Sequence, residues 1–200
     1  AQFLEVLPEN SAEEEMYLAV DNCRDIALHA EKLLLEPLVM PGPTGESNVL
    51  SLHPRGVVAC LSSLDSPLVS GVTQICAALI AGNTVIIKPS CNRIAISKVL
   101  HEVLQQAGIP KDVVHILSGS GKTIGRKIMK DPRVDVVMFN GPAEIASSIC
   151  KELAERDGKL VPLILTDDYH HYLERLSTER TVTENTTAKG GNAALLSLEE

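Results

Sequence analysis

Residues 56–90 read GVVACLSSLDSPLVSGVTQICAALIAGNTVIIKPS, and this stretch decides the fold. Gly56 to Leu61 is a short, Val-rich, almost wholly apolar run, the pattern of a strand buried on both faces. Ser66 and Pro67 open a helix, with Pro67 at a first-turn position where a missing N–H costs little. Leu68, Val69, Val72, Ile75, Cys76, Leu79 and Ile80 recur at the spacing of one helical face. Gly82 stands where a helix C-cap belongs. Thr84 to Lys88 is a second buried strand, stopped by Pro89. Strand, helix, strand within about 35 residues is a right-handed βαβ crossover.

Downstream the unit repeats. A helix over 94–107 turns Ile96, Val99, Leu100, Val103 and Leu104 inward and is capped by Gly108. Val113 to Leu117 is a third strand. The loop GSGKTIG leads to a short helix ending near Lys130, and Val134 to Phe139 is a fourth strand. A helix over 142–157 and a fifth strand from Lys159 to Leu165 follow. Alternation of this kind predicts an α/β chain with a Rossmann-like, doubly wound parallel sheet. The sheet domain is expected over 49–168.

Upstream, residues 1–48 read as a helix and a connector. Ser11 to Glu14 has capping-box spacing. Met16, Tyr17, Val20, Cys23, Ile26, Ala27, Ala30, Leu33 and Leu34 give the helix an apolar stripe, which Glu36-Pro37 stops. MPGPTGESN at 40–48 is rich in turn formers, and Val49 to His53 is a brief strand. Residues 169–200 change character: a helical turn or two, a Thr- and Val-rich strand at 178–186, a Gly turn, and a last strand at 193–198. Neither face of that protruding β-flap is apolar enough to fold alone, so it must lie on the sheet domain or on another chain.

Composition narrows the function. The 200 residues are 44% hydrophobic, which suits one folded core, but only 2% aromatic. That argues against stacking platforms for single-stranded nucleic acid. A net charge of −8 without a basic cluster argues against nucleic acid or an anionic membrane as partner. No apolar run is long enough to span a membrane. The five cysteines are scattered and form no CxxC pair, which points to a reducing, cytoplasmic setting and no structural metal. The chain starts at Ala1 without Met and reads as a piece of something longer.

Three motifs invite chemistry. SGSGKT at 118–123 lies between a strand and a helix, but a nucleoside-triphosphate loop needs Gly where Ile116 stands, and no acidic residue closes the next strand. Gly119, Gly121 and Gly125 could form a dinucleotide loop, or could only permit a tight turn. His170-His171 beside Asp167 and Asp168 hints at a metal, yet adjacent side chains diverge on a regular element.

Four segments taken together, PRGVVACLSSLDSPL, AALIAGNTVIIKPS, AGIPKDVVHILSGSG and VDVVMFNG, resemble the cofactor-binding half of the aldehyde dehydrogenase superfamily. The flanks MPGPTGESN and STERTVTENTTAKGGNAALLSL resemble the C-terminal region of the proline utilization A family. That resemblance implies a longer protein fusing proline dehydrogenase to 1-pyrroline-5-carboxylate (glutamate semialdehyde) dehydrogenase. FAD and NAD would be its cofactors, and it would be cytoplasmic or peripheral at the inner membrane. The longer members of the family carry an extra C-terminal domain of aldehyde-dehydrogenase-like fold.

Measured against the superfamily's working parts, this chain departs at each. Ser63-Leu64-Asp65 stands for Pro-Trp-Asn, and an ionised Asp65 accepts hydrogen bonds where an oxyanion donor is needed. Lys88, Pro89 and Ser90 persist from Lys-Pro-Ser-Glu, but Cys91 replaces the ribose-binding Glu. Asn140-Gly141-Pro142 stands for Thr-Gly-Ser, and proline removes a hydroxyl and an N–H from the pyrophosphate site. Ile164 occupies the position of the general base, and no cysteine matches the nucleophile. No catalytic residue is expected, and Lys88, Ser90, Gly119, Gly121, Gly125 and Gly141 are expected to be vestiges of a cofactor site.

The resemblance therefore implies a non-catalytic structural domain with no cofactor or metal of its own. It would cover the aldehyde dehydrogenase module of the same polypeptide and help enclose the path of the intermediate, with the tail able to join copies of the chain. A relic NAD-binding regulator is the alternative. An active aldehyde dehydrogenase is the remote one.

Overall fold

The computed structural model describes residues 9–34, 38–41, 46–62, 67–89, 94–165 and 172–185. At its centre is a five-stranded, all-parallel sheet built from β3 (Val57–Leu61), β4 (Thr84–Lys88), β5 (Val114–Ile116), β6 (Val134–Phe139) and β7 (Leu163–Ile164), in the order β5-β4-β3-β6-β7. The chain runs outward from β3 to β5 and then returns to the other side of β3. The order therefore reverses between β3 and β6, where β3 pairs with both β4 and β6.

Side chains alternate across this sheet into two cores. Val58, Cys60, Val85, Ile87, Val136 and Met138 face one layer of helices. That layer holds α1 (Glu9–Leu34), α2 (Pro67–Ile80), α3 (Ile94–Gln106) and α6 (Tyr172–Leu176). Ala59, Leu61, Val137 and Phe139 face α4 (Arg126–Lys130) and α5 (Ala143–Ala154) on the other side. Pro67 is the first residue of α2, and the helix closes with Gly82 N donating to Leu79 O and Asn83 N to Ala78 O. That is the hydrogen-bond pair of a Schellman ending.

Helix α2 carries more than one buried face. Ser70, Thr73 and Gln74 are buried with Val72 and Ile75, because α1 packs over the side away from the sheet. Helix α1 differs from its expected stripe in two ways. It begins at Glu9, so Ser11 lies inside the helix rather than capping it. Its buried line is Glu15, Ala19, Ile26 and Ala30, while Met16, Tyr17 and Val20 are exposed. The reason is a tertiary bond: Glu15 Oε1 accepts from the N–H groups of Leu68 (2.9 Å) and Val69 (3.2 Å) at the start of α2. A carboxylate there satisfies orphan donors and complements the helix dipole, and it rotates α1 toward its acidic side.

The second sheet is antiparallel, ordered β1-β2-β8, from β1 (Leu38–Pro41), β2 (Glu46–Pro54) and β8 (Ser177–Asn185). The supposed connector is thus a strand pair, and β2 runs in register with β8 from Glu46↔Asn185 to Pro54↔Ser177. The β-strand expected after Leu176 finds its partner within the chain. The fifth parallel strand is shorter than the sequence suggests: Leu160 is fully exposed and only Leu163 and Ile164 pair. The Gly turn and last strand expected at 188–198 lie outside the described residues.

Where the two sheets meet, the buried side chain of Asn83 makes three hydrogen bonds. Its Oδ1 accepts from Gly56 N (2.9 Å), and its Nδ2 donates to Ala78 O (3.2 Å) and Leu176 O (3.1 Å). At the start of β6, Asp135 accepts from Val57 N (2.7 Å) and pairs with Lys159. Burial would raise the Asp135 carboxyl, but the Lys159 ammonium and the Val57 N–H outweigh it and hold the group below its usual value.

Asn83→Ala leaves buried partners unpaired at both sheets and should cost about 2–4 kcal/mol in urea unfolding. Asn83→Asp, keeping only the acceptor, should not restore the loss. Asp135→Asn should cost about 1 kcal/mol at pH 7, since the pair is partly exposed. A carboxyl depressed in the folded state stabilises above its unfolded pKa and loses that effect as pH falls through the folded value. Unfolding free energies of Asp135→Asn and wild type should therefore converge below about pH 4; a gap that persists at pH 2 would contradict the assignment.

Candidate functional site

At the carboxyl ends of the parallel strands, where the strand order reverses, a cavity of about 540 Å³ opens between α4 and α5. Open α/β sheets bind ligands at this position. Its floor is Leu61, Lys88 and Phe139, the last residues of β3, β4 and β6. Gly121, Lys122, Gly125 and Arg126 form one wall, and Gly141, Pro142, Glu144 and Ser148 form the other. The fold thus brings together Lys88, Gly121, Gly125 and Gly141, four of the residues singled out in the sequence. Gly119 sits just before that wall, and Ser90, Cys91 and Asp65 lie outside the described residues, as do His170 and His171. Ile164 is buried in the main core, beneath the sheet's other face.

Several polar groups at the crevice already have partners inside the chain. The buried Lys88 ammonium donates to the carbonyl of its neighbour Pro89 at 2.9 Å. In the glycine loop, Ser120 dominates. Its carbonyl accepts from the N–H groups of Thr123, Ile124 and Gly125, and its hydroxyl accepts a second bond from Thr123 N. Residues Gly121–Gly125 are wound into a single wide π turn running into α4. Arg126 pairs with Glu152 at 2.7 Å, and Lys130 reaches the same carboxylate at 3.7 Å. At the start of α5, Pro142 supplies the carbonyl for Ile145 and Ala146 N–H but no side-chain cap.

Two glycines here answer to packing. A Cβ on Gly119 would stand 2.4 Å from Ile124 Cγ1, and one on Gly141 would stand 2.6 Å from Phe139 Cζ. Both have positive φ, +149° and +156°, which side-chain-bearing residues rarely adopt. The Arg126–Glu152 pair went unread in the sequence, because its partners lie on separate helices with no fixed spacing. A second cavity, about 400 Å³, lies at the opposite ends of the strands, around Thr84, His115, Lys127 and Arg133. Arg133 is held there by both oxygens of Asp131. Among the described residues no cluster of three or more His, Cys, Asp or Glu is placed to hold a metal ion. None of their helices is long and apolar enough to cross a membrane.

A parallel sheet in this order, with a glycine turn and α5 flanking the reversal point, is a Rossmann-like, doubly wound architecture. The family model for the aldehyde dehydrogenase family matches residues 7–166, and the chain belongs to that family. Within it, the chain is similar to proline utilization A (PutA). It is 40% identical over 115 residues to the bifunctional protein PutA of Salmonella typhimurium, 56% of this chain and 9% of that protein. It is 33% identical over 112 residues to the 1-pyrroline-5-carboxylate dehydrogenase of Bacillus cytotoxicus, 55% of this chain and 21% of that one. The crystal structure of a Bradyrhizobium japonicum PutA mutant superposes with a TM-score of 0.73 at 40% identity, over 77% of this chain and 16% of the other. The chain thus spans about a tenth of the length of the curated PutA relatives it matches.

Gly141→Ala should destabilise the fold by about 1–3 kcal/mol, from positive-φ strain and the clash with Phe139. Pairing it with Phe139→Leu should recover part of that loss. Thermal melts read both, and a neutral Gly141→Ala would mean that the glycine is not there for packing.

Proposed function

We propose that this chain is a non-catalytic domain of a PutA-like bifunctional polypeptide that oxidises proline to glutamate. In that polypeptide it covers the aldehyde dehydrogenase module and helps enclose the route taken by the semialdehyde between two active sites. The observation that carries the reading is the internal pairing of donors at the crevice. Lys88 is bound to Pro89 O, three loop amides converge on Ser120 O, and Pro142 heads α5. A dinucleotide phosphate entering there would meet an ammonium and loop amides already engaged within the chain, and at the head of α5 a proline that offers neither hydroxyl nor N–H. The residues present fit the dinucleotide poorly, so no step is routed through one. FAD and NAD belong to the longer protein, with the other domains of the same polypeptide as this domain's partners, in the cytoplasm.

The second sheet supports the covering role. It stands out from the parallel sheet on β2 and β8, and it exposes Leu38, Val39, Met40 and Val182. Apolar residues on a narrow ribbon suit contact with another protein surface better than contact with water. That surface is another domain of the same polypeptide or a second copy of the chain, joined through the tail.

One observation favours a relic nucleotide site instead: the crevice opens at the reversal point of the strand order, with Lys88 on its floor. Titration calorimetry separates the readings. Micromolar NAD binding abolished by Lys88→Ala supports the relic. For the covering role, removal of residues 177–200 from the full-length enzyme should leave proline oxidation intact while NADH production from proline acquires a lag. Unchanged coupled kinetics in a folded truncation would overturn it.

A further inference from the structure

The seam between α1 and α2 carries two thiols that no role above uses. Cys23 Sγ and Cys76 Sγ lie 3.4 Å apart, both half-buried. The helices run side by side in the same direction, and the contacts climb together: Glu15 on Leu68 and Val69, Asn22 Nδ2 donating to Thr73 Oγ1 at 3.0 Å, then Cys23 on Cys76. Two anchors below the sulfurs fix the register, so the thiols are held opposite each other. A disulfide needs its sulfurs at about 2.05 Å, an approach of about 1.4 Å from the observed separation. Side-chain rotation on two fixed helices covers that distance.

We propose that Cys23 and Cys76 are a redox modification site, forming a reversible disulfide that staples α1 to α2 when the protein meets a hydroperoxide. The two thiols take different parts. The hydrogen bond from Cys76 holds the Cys23 thiol below its usual range against the opposing effect of burial. The same bond, with burial, pushes the Cys76 thiol up. Cys23 is therefore the sulfur that ionises and attacks.

Its thiolate takes an oxygen from the peroxide, the O–O bond breaks, and the departing oxygen leaves as water or an alcohol. The resulting Cys23 sulfenic acid is attacked by Cys76, which gives up its proton. The S–O bond breaks, water leaves, and the S–S bond forms. Two thiols lose two electrons, and the peroxide gains them. The other described cysteines stand apart. Cys60 is fully buried on β3, where burial raises its thiol, and the exposed Cys150 is on α5, on the opposite face of the sheet.

The test uses the full chain, reduced and then exposed to a small excess of hydrogen peroxide, quenched by alkylation and mapped by peptide mass spectrometry across all five cysteines. The expected product is a Cys23–Cys76 linked peptide, lighter by two hydrogens and restored by dithiothreitol. Closing a loop of this length should raise the melting temperature by about 5–10 °C. Cys76→Ser should accumulate a dimedone-reactive sulfenic acid at Cys23, while Cys23→Ser should leave Cys76 unreacted. The proposal is overturned if both thiols stay alkylatable in the wild type while Cys150 oxidises, or if Cys76 reacts equally fast in Cys23→Ser. The wild-type map decides the matter even where a variant fails to fold.

Discussion

The amide of Asn83 is the point on which both sheets depend. It binds Gly56 N at the foot of β3, Ala78 O at the end of α2, and Leu176 O at the end of α6. Pro54↔Ser177 is the last register pair of the antiparallel ribbon, and Gly56 and Leu176 lie just beyond it on either strand. One buried side chain thus clamps the fork at which β2 and β8 part, one toward the parallel sheet and the other from the helical layer. Arg55 reinforces the fork from outside, donating to Arg175 O at 2.7 Å, while Arg175 reaches Leu163 O at 3.3 Å. Buried amides that satisfy several backbone groups are costly to replace, because no apolar residue pairs what they leave behind. The ribbon is therefore fixed at its base, whatever its outer end touches.

The same internal pairing governs the crevice. Parallel sheets leave helix N-termini and loop amides pointing at the strand ends, and in a binding protein these donors wait for a ligand. Here Glu15 fills the start of α2 and Ser120 gathers the loop amides. Glu152 draws off Arg126 and Lys130. Each of these partners belongs to the same chain, so each bond forms without the entropy cost of capturing a separate molecule. The strand-end crevice is present, and the donors named here are engaged within the chain.

What the sequence made legible follows from range. The parallel strands were readable because a strand buried on both faces is a continuous apolar run, and Val57–Leu61, Thr84–Lys88 and Val134–Phe139 fall where those runs are. The ends of α2 were readable because Pro67 and Gly82 act within one turn. The register of α1 was not. Periodicity chose Met16, Tyr17 and Val20, whereas a bond to α2 more than fifty residues away selected Glu15 and its neighbours. The antiparallel sheet was half legible: strands were expected at 49–53 and 178–186, but their pairing joins residues more than a hundred positions apart, and β1 went unread at the edge of a segment dense with Pro and Gly. The crevice residues could be listed from motifs, yet the pairing of Lys88 and of the loop amides depends on where Pro89 O and Ser120 O point, which no spacing encodes.

Helix α1 shows how packing creates chemistry. Two of the residues it buries are small, Ala19 and Ala30 on either side of Ile26, and α2 presents Ala77 and Ala78 to the same core. Small residues let helix axes approach closely, and close axes bring side chains of modest length into contact. A cysteine is short; across a seam filled with Leu or Phe, two of them would not meet. Along this one, the polar pairs set the axial register and the alanines set the separation, and the meeting of Cys23 and Cys76 is the consequence of both. The exposed outer side, with Met16, Tyr17 and Leu28, plays no part in that geometry. The inner face of α1 is thus matched chiefly to α2, so that a covalent link between the two would tighten an alignment already made.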